Sequence, residues 1–86
     1  MRYKADIEID LHGFITAKAA VEHLRHKIER GCYSKKSVLV IHGKGAGRLR
    51  EAVRAWARRS PLVQEIWEGE NRFLDGESGV TVLFLN

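Results

Sequence analysis

The run Ser37-Val38-Leu39-Val40-Ile41 is apolar almost without interruption and rich in β-branched side chains. Alternation would mark a strand with one wet face, whereas a continuous run of this kind marks a strand buried on both faces and therefore central in its sheet. The flanking sequence supplies what such a strand needs. Before it, Ala17, Ala20, Val21, Leu24 and Ile28 recur at helical spacing, with Thr16 placed as N-cap and Gly31 as the stop, which makes a helix of about four turns. Earlier still, Ala5 to Gly13 alternates, with Ile7, Ile9 and Leu11 on one side and Glu8, Asp10 and His12 on the other, the period of a half-buried strand.

After the central run, Leu49, Ala52, Val53, Trp56 and Ala57 form a second helical stripe, and Arg48, Arg50, Arg54, Arg58 and Arg59 are assigned to the remaining, solvated surface. Ser60-Pro61 ends that helix, because the residue before proline is driven out of the α region. "LVQEIWEG" and "VTVLFL" read as a third and a fourth strand, joined by a connection in which Asp75-Gly76 marks a turn. The order βαβαββ predicts an α/β two-layer sandwich, with a mixed four-stranded sheet and both helices on one face. With 86 residues the chain is a single domain over 1–86, too short for a catalytic domain beside a separate binding domain, and its closeness to its outermost apolar segments fits excision from a longer protein.

Strand–helix–strand units of this length make the first two strands parallel, so His12 and His42 fall at the same sheet edge, where open α/β sheets place ligands. Gly43, Gly45 and Gly47 then follow at every second position before the second helix. Glycines there let an anion approach the unpaired N–H groups of a helix start, and Lys44 and Arg48 add full charge. The spacing matches neither a Walker A loop nor the dinucleotide fingerprint, which argues against a nucleotide cofactor. Taken alone, three glycines equally make a tight turn. Asp10 and His12 share the face opposite the Ile7-Ile9-Leu11 core. An aspartate beside a histidine orients the imidazole or shares a divalent metal, magnesium or manganese, for which Asp10 is the best candidate; on spacing alone an unreactive surface pair fits as well.

Lysine plus arginine exceed aspartate plus glutamate to give a net charge of +4, which leans toward a polyanionic partner. The lone Cys32 requires no oxidising compartment and is expected as an exposed loop thiol without function; a cytoplasmic location fits. No apolar run approaches membrane-spanning length, so no membrane partner is expected. His23 and His26 are read as solvated helix positions, and Trp56 and Trp67 as packing residues.

The segments "IDLHG", "VLVIHGKGAGRLREAV", "SPLVQEI" and "GESGVTVLFL", in this order, resemble the Smr (small MutS-related) domain. The resemblance covers nearly the whole chain and rests on two signature motifs, Asp10-Leu11-His12-Gly13 and His42-Gly43-Lys44-Gly45. It implies a fold like the C-terminal domain of translation initiation factor three and a DNA-nicking or RNA-cleaving endonuclease activity. It also implies a parent MutS-like protein or a ribosome as partner. Carried over by position, Asp10 and His12 become the nuclease residues and His42-Gly43-Lys44-Gly45 the substrate-facing loop; with His12 or His42 as general base and Asp10 orienting it or holding a metal, the catalytic candidates are Asp10, His12 and His42. Gly13, Gly43, Lys44, Gly45, Gly47, Arg48, Arg50 and Arg54 become the phosphate-contacting set, with Arg50, Arg54 and Arg58 at one-turn spacing to track a strand. The chain departs from the family at Lys18-Ala19, where Glu-Ala is common, and across residues 75–81.

The expected function is therefore a structure-selective endonuclease on DNA or RNA. The alternative is a non-catalytic binding module that targets a larger protein. A metabolite enzyme is weaker, because it needs a deep pocket that a domain of this size hardly encloses.

Overall fold

A computed structural model describes residues 3–31, 33–45 and 47–86. Cys32, expected as a loop thiol, lies outside the described residues. Six regular elements follow the expected order: β1 (Ile7–Asp10), α1 (Ala17–Arg30), β2 (Ser37–Ile41), α2 (Arg48–Arg59), β3 (Val63–Glu68) and β4 (Val80–Leu85). The connection from β3 to β4 carries two single 3-10 turns, Gly69–Asn71 and Glu77–Gly79.

The sheet runs β1-β2-β4-β3. β1 and β2 pair in parallel with Asp10 opposite Ile41, while β4 lies antiparallel to both β2 and β3. The parallel pair follows from the α1 crossover, and β4 enters between β2 and β3 because antiparallel strands need only a loop. β2 is thus central, as its uninterrupted apolar run requires, and four of its five residues are buried.

One face of the sheet is built from Ile9, Leu11, Val38, Val40, Leu83 and Leu85, which meet Ala20, Leu24 and Ile28 of α1 and Val53, Trp56 and Ala57 of α2. Burying a leucine as completely as Leu24 is worth about 1.5–3 kcal/mol. Thr16 caps α1 as expected, its Oγ1 accepting from the Ala19 N–H at 3.1 Å. On the opposite face Leu39, Val80 and Val82 are covered by Leu74 of the β3–β4 connection and flanked by Tyr3, Ile41, Trp67 and Phe84. Trp67 does pack, but on this second face, edge-on to Phe84 with ring centroids 4.7 Å apart.

Two consequences bear on the site. β1 ends the sheet on one side, so the residues that alternate away from the helices, Glu8 and Asp10, stand on an edge strand open to solvent. The C-terminal ends of β1 and β2 lie together because the strands are parallel and in register. Among the described residues no helix is long and apolar enough to cross a membrane.

Candidate functional site

Beyond Asp10 the chain leaves the sheet in a tight turn: Leu11 N–H still donates to Ile41 O at 2.7 Å, and Phe14 N–H donates back to Leu11 O at 3.2 Å. Leu11 is fully buried, which anchors the turn and throws His12 outward. Asp10 Oδ1 accepts twice from His12, from the backbone N–H at 3.0 Å and from the ring Nδ1 at 2.5 Å. These hydrogen bonds to the ionised form hold the Asp10 carboxyl below its ordinary range. With Nδ1–H committed to the carboxylate, the His12 lone pair sits on Nε2, and the side chain is 69% exposed. An exposed imidazole with its tautomer set by a carboxylate is the arrangement of a general base.

The second motif meets the first through Gly43. It adopts φ +82°, a conformation glycine accepts without strain, and a Cβ built there would lie 3.8 Å from His12 Cβ. The loop is clamped from the other side by Gly79, whose carbonyl accepts from the N–H groups of both His42 and Gly43 at 3.0 Å. A Cβ at Gly79 would lie 3.2 Å from the Gly43 carbonyl carbon and 3.3 Å from the Lys44 backbone nitrogen, so a side chain there would require the loop to shift by a few tenths of an ångström. Lys44 and Gly45 are exposed, and Lys44 Nζ lies 3.4 Å from Glu77 Oε1. Gly47 is the N-cap of α2 and offers no side-chain cap, so the helix presents its first N–H groups beside this loop. Arg48 is exposed, and Arg50 folds its guanidinium over Gly47. Gly13 lies in the exposed turn with open space around it.

Two of the expected site residues lie inside the domain. His42, placed with the catalytic group, is only 4% exposed. Its Nδ1 faces Gly43 O at 3.2 Å and its Nε2 faces Thr81 Oγ1 at 2.8 Å. A carbonyl can only accept, so Nδ1 carries the proton and Nε2 accepts from the Thr81 hydroxyl, leaving neither nitrogen for a substrate. Burial pushes the His42 pKa down and keeps the ring neutral. Arg54, assigned to the outer basic stripe, is 2% exposed and turned into the domain. Its Nε donates to Thr81 Oγ1 at 2.9 Å, its Nη2 to Val80 O at 3.2 Å, and its two Nη groups to the two Glu70 carboxylate oxygens at 2.8 Å each. A buried guanidinium must be paired, and here one carboxylate takes both prongs of the fork. Arg58, the next in the stripe, stays exposed and reaches Glu68 at 3.3 Å.

Glu70, Arg54, Thr81 and His42 therefore form one chain of hydrogen bonds that starts at the solvent-exposed Glu70 carboxylate, is buried from Arg54 onward and ends at the Gly43 carbonyl. The sequence does not mark out Thr81, Glu70 or Gly79; the nearest signal is the nearly continuous apolar run of β4, in which a lone threonine reads equally as buried or half-exposed. Among the described residues no group of three histidine, cysteine or acidic side chains converges. Among the described residues Asp10 therefore has no companion set for a magnesium or manganese cage built from protein ligands alone.

The same chain sets a pH dependence. Glu70 is held at about 2 against an ordinary 4.5, chiefly by its hydrogen bonds from Arg54. The stability it contributes is present above 4.5 and lost as pH falls from there toward 2. His42 is depressed below 6.5, so the unfolded chain takes up its proton first and acidification below 6.5 acts in the same direction. Urea melts at successive pH values should show stability declining on acidification, and Glu70→Gln should flatten the part below 4.5. An identical acid profile in that variant would contradict the assignment.

The fold and this edge define a small two-layer α/β domain, mixed-sheeted, with an Asp-Leu-His-Gly turn packed against a His-Gly-Lys-Gly loop. The chain belongs to the Smr domain family, whose model matches residues 9–86. It is 38% identical over 80 residues to the Endonuclease MutS2 of Caldicellulosiruptor bescii, covering 93% of this chain and 10% of that protein. It is 33% identical over 78 residues to the Endonuclease MutS2 of Thermus thermophilus, covering 91% of this chain and 10% of that one. The chain thus spans about a tenth of the length of the curated relatives it matches. The crystal structure of the Smr domain of Thermus thermophilus MutS2 superposes with a TM-score of 0.75 at 31% identity, covering 92% of this chain and 96% of that one.

Proposed function

We propose that this domain binds nucleic acid by strand structure rather than base sequence and cleaves its phosphodiester backbone, with His12 as general base. The observation that carries this reading is the Asp10–His12 pair, locked at 2.5 Å through Nδ1 with Nε2 free, beside a glycine-lysine loop at a helix start. His12 Nε2 takes the proton from the attacking oxygen, a water or a ribose 2′-hydroxyl, while Asp10 holds the tautomer and stabilises the imidazolium that forms. Lys44, Arg48 and the N–H groups at the start of α2 hold the scissile phosphate and the charge that grows on it. His42 acts as a positioning residue, through the Gly43 carbonyl. The relatives named as endonucleases support cleavage over binding alone, although their names describe proteins about ten times longer.

The reading is tested by incubating the domain with supercoiled plasmid and with end-labelled structured RNA, His12→Ala alongside. Cleavage by the wild type alone supports it and names the substrate; binding by both without cleavage leaves a recognition module. Binding itself should weaken with salt, log K falling by about 0.7 to 0.9 per phosphate contacted for each unit of log salt. Lys44→Ala should weaken binding evenly across sequences and reduce that slope by about one phosphate's worth. A flat salt dependence in the wild type would remove nucleic acid as the ligand.

A further inference from the structure

The β3–β4 connection, where this chain departs from the family pattern, is held rigidly. Gly69 O accepts from the N–H groups of Arg72 and Leu74 at 3.3 and 3.1 Å, Leu74 O from that of Glu77 at 2.9 Å, and Gly76 O from that of Gly79 at 2.7 Å. Phe73 sits in the middle, between two anchored neighbours. Arg72 lays its guanidinium over the Trp67 ring at 4.3 Å, and Leu74 is buried in the second core. Phe73 itself is held at φ +56°, a region that a bulky L side chain enters at a cost, and the residue is 87% exposed. A strained backbone that presents an aromatic ring to water gains nothing for the fold, and such outliers belong with function.

The ring borders an open hollow of about 540 Å³ that is also lined by Leu74, Asp75, Gly76 and Glu77. Glu77, in the same lining, reaches Lys44 Nζ at 3.4 Å and so links the hollow to the cation of the glycine loop. Two carboxylates along that hollow disfavour a phosphate there, whereas the flat face of a base stacks on an aromatic ring whatever its sequence. We propose that Phe73 is the stacking platform for one unpaired nucleobase of a strand whose phosphate lies at Lys44, and that it makes the domain favour single-stranded or locally unpaired substrate over duplex. A base inside a duplex is already stacked and does not reach such a ring. This rests on the nucleic-acid reading above.

The test measures binding of labelled single-stranded RNA and DNA oligonucleotides, and of the duplexes made from them, to the wild type and to Phe73→Ala, Phe73→Trp and Phe73→Gly. Phe73→Ala should weaken single-strand binding about 5- to 150-fold, the range that base–aromatic stacking allows, and leave duplex binding unchanged. Phe73→Trp should retain binding. Phe73→Gly should lose it as the alanine variant does, with a Tm no lower than wild type, because glycine accepts the positive φ. Equal weakening of single strand and duplex, or none in either, overturns the platform; so does a fall in Tm with Phe73→Gly, which would return the ring to packing. Wild-type protein that binds no nucleic acid overturns both this proposal and the reading beneath it, whereas binding that ignores Phe73 overturns this one alone.

Discussion

Arg54→Ala is expected to destabilise the domain by about 1–3 kcal/mol, the cost of leaving buried acceptors without their donor, while the Glu70 carboxylate, 37% exposed, turns to water. That is a sizeable share of the roughly 5–15 kcal/mol by which a domain is stable, so the domain should unfold at a lower temperature. The substitution removes four hydrogen bonds at once and leaves Thr81 Oγ1, the Val80 carbonyl and the Glu70 carboxylate without their donor. Arg54→Lys keeps the charge but cannot span both Glu70 oxygens while also reaching Thr81, and should fall between. Denaturant melts decide the matter. A loss below about 1 kcal/mol, the scale of an exposed ion pair, would mean that Arg54 is solvated and free to meet a phosphate, as its place in the helical pattern led one to expect.

His12→Ala is expected to lower phosphodiester cleavage about 10²- to 10⁴-fold, the usual contribution of a positioned general base. Binding and stability should hardly change, because the side chain is 69% exposed and, among the described residues, its ring hydrogen-bonds to Asp10, itself exposed. Asp10→Asn is the companion variant. It preserves shape but no longer fixes Nδ1–H, so it should also lose cleavage with binding intact. His42→Ala should behave differently, lowering Tm as it opens the Thr81 and Gly43 contacts, with activity falling through the displaced loop. Single-turnover rates and melts on the three variants separate the roles: a His42→Ala protein of unaltered stability and binding but without cleavage would move His42 into the chemistry.

Much of the fold is legible in the sequence because pattern and structure answer to the same local rules. Ile9 and Leu11 face the helices because side chains alternate along a strand, and Leu24 and Ile28 meet the sheet because residues four apart share a helix face. The same alternation put Asp10 and His12 together on the opposite side, and the parallel pairing of β1 and β2 brought Gly43 to them. What the pattern missed lies in the polar residues of the core. Arg54 follows Val53 at the margin of the α2 stripe, and periodicity leaves a marginal position undecided between water and interior. His42 follows the last residue of β2, and its neighbours Ile41 and Gly43 are only half-buried, so the pattern does not mark it as interior.

The amino-acid sequence alone therefore determined the elements, their order, the parallel first pair and the edge that carries Asp10, His12 and Lys44, since each depends on residues close together in the chain or on the short connections between them. Only the tertiary structure decided that Arg54 and His42 turn inward. A buried charge or imidazole is tolerated where a partner waits for it, and those partners, Glu70 sixteen residues beyond Arg54 and Thr81 thirty-nine beyond His42, are delivered by the fold of the β3–β4 connection and β4.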